Sequence, residues 1–190
     1  MRRACTVAAG CGAVALICLA AGARAAEQDQ KSGDYGVETI AFGVLHHDAG
    51  VFGNSKESGV DFNLELRLDE LTGEFWGFLL NPQPHIGVSV NSEGDTSQAY
   101  FGLTWLFDFG AGFFGGGSLG GAVHDGETNS DTPYRKSLGS VVLIRESIEI
   151  GFRFASRHSL SLMLDHISNA GLADENEGLD NVGIRYALRL

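Results

Sequence analysis

The stretch "VDFNLELRL", residues 60–68, sets the pattern of the chain. Val60, Phe62, Leu64, Leu66 and Leu68 fall on one face of an extended strand, and Asp61, Asn63, Glu65 and Arg67 on the other. The same period of two recurs along the sequence. Ile40, Phe42 and Val44 alternate with Thr39, Ala41 and Gly43. Phe101, Leu103, Trp105 and Phe107 alternate with Gly102, Thr104 and Asp108. Ile148, Ile150, Phe152 and Phe154 alternate with Glu149, Gly151 and Arg153. The pattern predicts eight strands at 37–48, 59–69, 84–92, 97–109, 111–124, 137–155, 159–168 and 179–190. Most are close to the 9–11 residues that cross a bilayer at a tilt.

Alternation has two physical readings. A soluble sandwich buries its apolar face and wets its polar one, and a membrane barrel does the reverse. The ends of the chain favour the barrel. "MRRACTVAAGCGAVALICLAAGARAA" has a basic start at Arg2 and Arg3, an apolar core and a small-x-small site at Ala23–Ala25. It reads as an export signal cut after Ala25. Residues 26–36 are a polar lead-in and 37–190 the barrel. The last strand ends the chain on an apolar, alternating face. The expectation is an all-β, eight-stranded antiparallel transmembrane β-barrel of the outer membrane of a Gram-negative bacterium. An even strand count puts both termini on the periplasmic side. The outer loops are then 49–58, 92–97, 125–136 and 169–178. Residues 70–83 are long and apolar for an inner turn, and either extend the strands or form an interfacial segment around Trp76.

Composition narrows this picture. The chain has 190 residues, with 27 glycines and 3 prolines, which suits many strands joined by tight turns. All three cysteines, Cys5, Cys11 and Cys18, lie in the segment assigned to the signal. The mature chain therefore has neither disulfides nor a thiolate metal site. Loss of Arg2, Arg3 and Arg24 takes the net charge from −11 to −14, which argues against a nucleic-acid partner. The "GAGFFGGGSLGG" stretch lacks the Lys-Ser/Thr of a phosphate loop and reads as strand.

The candidate chemistry lies in "LDHISNAG", residues 164–171. Leu160, Leu162, Leu164, His166 and Ser168 share one face by period two, the lipid-facing one. A hairpin closing around 169–179 brings Asp180 of the last strand beside them. A serine hydroxyl is a weak nucleophile until an imidazole takes its proton, and a carboxylate fixes the imidazole's tautomer. Ser168, His166 and Asp180 are the candidate catalytic set. The Asn169 side-chain amide and the Gly171 N–H are candidate donors to the oxyanion. An equally bland explanation is a polar rim at headgroup level. His46, His47 and Asp48 read as a loop or rim cluster rather than a metal site.

The segment "HISNAGLADENEGLD" resembles the signature of PagL-type lipid A 3-O-deacylases, H-x-S-N-A-G followed by N-x-G and an acid two positions later. The resemblance is strong over 145–190. It implies an eight-stranded outer-membrane barrel that hydrolyses the 3-position acyl ester of lipid A, with a lipid-facing triad and no cofactor. Matched residue by residue, it covers His166, Ser168, Asn169, Gly171, Asn176 and Gly178. The family's acid falls on Asp180, where many members have the longer glutamate. Glu146 matches an acidic position as well. Strand pairing sets it near Ser168, as a supporting carboxylate, a substitute acid or, by preference, a headgroup-level charge. The implied partners are lipopolysaccharide and outer-membrane lipids; a homodimer is compatible with such a barrel but not derivable from the sequence. A non-catalytic small barrel with a structural or binding role explains the strands equally well, though not the motif. An esterase acting on phospholipid or on another lipid A ester is a third reading.

Overall fold

The computed structural model describes residues 36–190. The proposed signal and most of the lead-in lie outside the described residues. Eight strands run Val37–His46 (β1), Val60–Leu68 (β2), Gln83–Asn91 (β3), Gln98–Gly110 (β4), Phe113–His124 (β5), Val142–Ala155 (β6), His158–Ser168 (β7) and Leu179–Arg189 (β8). They form a closed antiparallel barrel in sequence order, with β8 pairing back onto β1 from Thr39↔Arg189 to His46↔Val182. Closure leaves no unpaired strand edge.

The distribution of charge decides between the two readings of the alternation. The interior holds Glu65, Arg67, Arg145, Glu149, Asp165 and Arg185, all buried. Arg67 bridges Glu65 at 2.7 Å and Glu149 at 2.5 Å, Arg145 pairs with Asp165 at 2.7 Å, and Arg185 pairs with Glu65. The Arg145 guanidinium lies 3.6 Å over the Tyr100 ring. The outside carries the apolar rows: Phe62, Ile86, Phe101, Ile150 and Leu162 are each 59–67% exposed. A soluble fold could not leave such a belt in water while burying its charges. Among the described residues no helix is long and apolar enough to cross a membrane, and the strands fill that role.

Two segments depart from the alternation. Strand β6 starts at Val142 rather than near 137. Residues 136–139 instead fold over one end of the barrel, where Lys136 and Leu138 are almost wholly buried. The Leu138 and Gly139 N–H groups donate to the Glu127 and Thr128 carbonyls, so no sheet ladder forms there. The long β2–β3 connection contains a short helix, Glu74–Phe78 (α1), with Phe75 and Phe78 exposed. Its following turn is tied to the barrel where Trp105 Nε1 donates to the Leu79 carbonyl at 2.7 Å.

Candidate active site at the β7–β8 hairpin

Strand β7 presents Leu160, Leu162, Leu164, His166 and Ser168 outward and Ser161, Met163, Asp165 and Ile167 inward. Its register with β8 sets His166 directly opposite Asp180, and Leu164 opposite Val182. The cross-strand pair is a hydrogen bond: His166 Nδ1 and Asp180 Oδ1 lie 2.6 Å apart. An aspartate at this position therefore reaches the imidazole despite its shorter side chain. Pairing across adjacent strands supplies the closeness that a longer acid would otherwise provide.

Asp180 is not bare to lipid. It is 2% exposed, because the β1–β2 loop covers it. Its second oxygen, Oδ2, accepts the Phe52 N–H at 2.8 Å, and its carbonyl accepts the Ala49 N–H at 2.6 Å. The Phe52 ring stands edge-on to the His166 ring, with centroids 5.4 Å apart. These contacts solve the cost of placing a carboxylate on an apolar face: both of its oxygens are hydrogen-bonded and water is excluded.

Ser168 closes the strand on the same outward row as His166, half-buried and opposite Ile144 of β6. Among the described residues no hydrogen bond joins it to His166. Catalytic contacts of this kind commonly tighten only with substrate in place. Glu146 lies on the outward row of β6, diagonal to Ser168. Strand β6 sets it opposite His166, and Ile144 rather than Glu146 faces Ser168. His166 thus has an acid on each neighbouring strand, and its hydrogen bond goes to Asp180.

The expected oxyanion donors are spent elsewhere. The Asn169 amide donates to the Leu138 carbonyl at 2.9 Å and to the Glu175 carbonyl at 2.5 Å. The Gly171 N–H donates to Asn169 Oδ1 at 2.9 Å. An amide has two N–H groups, and both are committed. Asn169 and Asn176, whose Oδ1 accepts the Asn169 N–H at 3.0 Å, instead lock the 169–178 loop against residues 137–139. Gly178 has a chemical reason to be glycine. Its φ of +61° disfavours side chains, and a Cβ there would sit 3.0 Å from His166 Cε1.

The "HHD" run builds the platform beneath this site. His47 is fully buried, with Nε2 at 3.1 Å from Glu57 and Nδ1 at 2.8 Å from Asp61. Burial alone would lower its pKa, but the hydrogen bonds to Asp61 and Glu57 outweigh it and raise it to about 9. Burial likewise works against the Glu57 carboxylate. Its bonds to His47 and to the Lys136 and Thr96 backbone hold its pKa down at about 2. Asp48 pairs with Lys136 at 3.0 Å and accepts the Lys56 and Glu57 N–H groups. Three further histidines also have partners: His85 meets Thr104, His124 the Ser140 carbonyl, and His158 the Tyr186 hydroxyl. Phe52 was invisible to sequence reasoning, since 128 residues separate it from Asp180 and no local pattern links them.

Comparison with known proteins agrees with the geometry. A model of the lipid A 3-O-deacylase (PagL) family matches residues 47–189. The structure resembles that of the outer membrane enzyme PagL, with a TM-score of 0.62 and 20% identity over 80% of this chain and 99% of that one. A de novo designed transmembrane β-barrel has a TM-score of 0.47 at 8% identity, covering 80% of this chain and 95% of that one. The Yersinia pestis outer membrane protein Ail in a phospholipid bilayer nanodisc has 0.45 at 14%, covering 80% and 99%. No curated protein sequence gives a significant match.

Proposed function

The chain belongs to the lipid A 3-O-deacylase family, and on that premise we propose that it is an outer-membrane serine esterase that removes the 3-position acyl chain of lipid A. The observation that carries the reading is the 2.6 Å bond between His166 Nδ1 and Asp180 on the outward face of the barrel. With Nδ1 held by a carboxylate, the tautomer is fixed and Nε2 is the basic nitrogen.

Ser168 Oγ attacks the ester carbonyl as His166 Nε2 takes its proton. The tetrahedral intermediate collapses, and the same proton passes to the departing sugar oxygen. Water then attacks the acyl-serine, with His166 again as base, and the fatty acid leaves. Asp180 orients the ring and stabilises its charged form throughout.

The site's location solves a problem of access. Lipid A is already embedded in the outer leaflet, so an outward-facing serine at the outer end of β7 meets it by lateral diffusion. The apolar row below, Leu164, Leu162 and Leu160 with Ile184 across on β8, offers the acyl chain a bed. The outer end also admits water for the second half of the reaction.

The test uses purified protein in detergent with lipid A, and separately with phospholipid. The expected result is release of a fatty acid from lipid A and none from phospholipid, with the activity lost in Ser168→Ala. Equal release from phospholipid would move the substrate assignment, and activity in Ser168→Ala would remove the serine from it.

A further inference from the structure

The β1–β2 loop does more than cap the barrel: the geometry points to the backbone N–H of Phe52 as a positioning group for the His166–Asp180 pair. This rests on the esterase reading above.

Asp180 divides its two oxygens between two partners. Oδ1 holds the imidazole at 2.6 Å and Oδ2 accepts the Phe52 N–H at 2.8 Å. A carboxylate held by one bond can rotate about its Cβ–Cγ axis, and a second bond from fixed backbone stops that rotation. An N–H donor to an ionised carboxylate is also among the stronger neutral–charged hydrogen bonds.

The donor is useful only if the loop is rigid, and several fasteners make it so. The Asp48 carboxylate ties the loop's far end by accepting the Lys56 and Glu57 N–H groups at 2.6 and 3.0 Å. The Asp48 N–H itself donates to Asn181 Oδ1, next to Asp180 in sequence. Lys136 Nζ reaches the Asn54 carbonyl at 2.6 Å and Asp48 at 3.0 Å. Lys56 Nζ binds Glu177 at 2.6 Å, joining the loop to the one that follows the serine. The Ala49 N–H on the Asp180 carbonyl adds a second bond to the same residue. Buried charges are costly to assemble merely to close a loop. Here they fix one amide against the orienting acid.

The experiment separates the amide from the ring and from general stability. Phe52→Pro removes the N–H, and Phe52→Ala keeps it. Each is made with Asp180 intact and with Asp180→Asn, and hydrolysis of a p-nitrophenyl acyl ester is followed. That substrate needs the dyad but no lipid A recognition, so failure of the lipid A assignment is read separately. Heat-dependent mobility on a denaturing gel reports the folded barrel. Phe52→Pro should lower kcat by about tenfold or more with KM within about twofold. In the Asp180→Asn background it should cost less than about twofold further, because the acid it serves is gone. Phe52→Ala should lose less than Phe52→Pro. If the proline variant does not fold, exchange of residues 50–55 for a Gly/Ser segment of equal length is put through the same cycle, with the same coupling expected. Equal losses in both backgrounds, an unchanged kcat, a loss carried by KM, or an alanine effect as large as the proline effect would each overturn the inference. So would a wild-type protein that leaves the ester intact.

Discussion

At the scale of single residues, the proposed catalysis turns on a carboxylate that is ordinarily expensive on a lipid-facing surface. Asp180 is kept there by three contacts: His166 and the Phe52 and Ala49 backbone N–H groups. Asp180→Asn should leave the barrel folded, since the amide fills the same space. It should lower kcat by roughly 10³-fold or more in an ester-hydrolysis assay, because the ring loses its fixed tautomer. Gly178 makes a subtler prediction. An alanine there meets an unfavourable φ and presses on the edge of the His166 ring. Gly178→Ala should reduce kcat by about tenfold while keeping the folded mobility on a gel, since small displacements of the proposed base are costly. Much of this site was legible in the sequence. Period two alone put His166 and Ser168 on one outward row, and the hairpin brought Asp180 to them. The hydrogen-bond commitments of Asn169 and Gly171 were not legible, because they are made to residues 137–139 and 169–176 by loops that carry no periodicity.

At the scale of elements, strands were readable and loops were not, for one physical reason. A strand in a barrel repeats the same inside–outside decision every two residues, so errors average out. A five-residue helix such as Glu74–Phe78 is too short to carry a period, and 136–139 is held by contacts distant in sequence. The β1–β2 loop carries its own pH prediction. The His47 pKa is raised to about 9, so its contribution to stability is complete below about 6.5 and is lost as pH rises through 9. Glu57, held down at about 2, contributes fully above about 4.5 and loses its contribution as pH falls through 2. The loop platform is therefore firmest between about pH 4.5 and 6.5. Going from pH 6.5 to 9.5 should cost the wild type on the order of 3 kcal/mol. His47→Gln should show a much flatter dependence over that interval, measured by urea unfolding in detergent. A wild-type slope no steeper than that of the variant would remove His47 from the platform's energetics.

At the scale of the whole molecule, the barrel is an inverted core: ion pairs and a cation–π contact inside, aromatic and aliphatic rows outside. This inversion separates the protein from a soluble sandwich, a distinction that alternation in the sequence alone could not make. If residues 1–25 are an export signal, the protein isolated from membranes should begin at Ala26 by intact mass. A mature chain that retains Met1 would contradict it.

The central claim is that this barrel uses Ser168 to cut one acyl ester of lipid A within the membrane. Mass spectrometry of lipid A from cells expressing the wild type or Ser168→Ala tests it most directly. The account predicts that the wild type removes a single ester-linked chain from position 3 and that Ser168→Ala, present as a folded barrel, leaves lipid A unchanged. Full deacylation by Ser168→Ala, or lipid A left intact by the wild type, would contradict it.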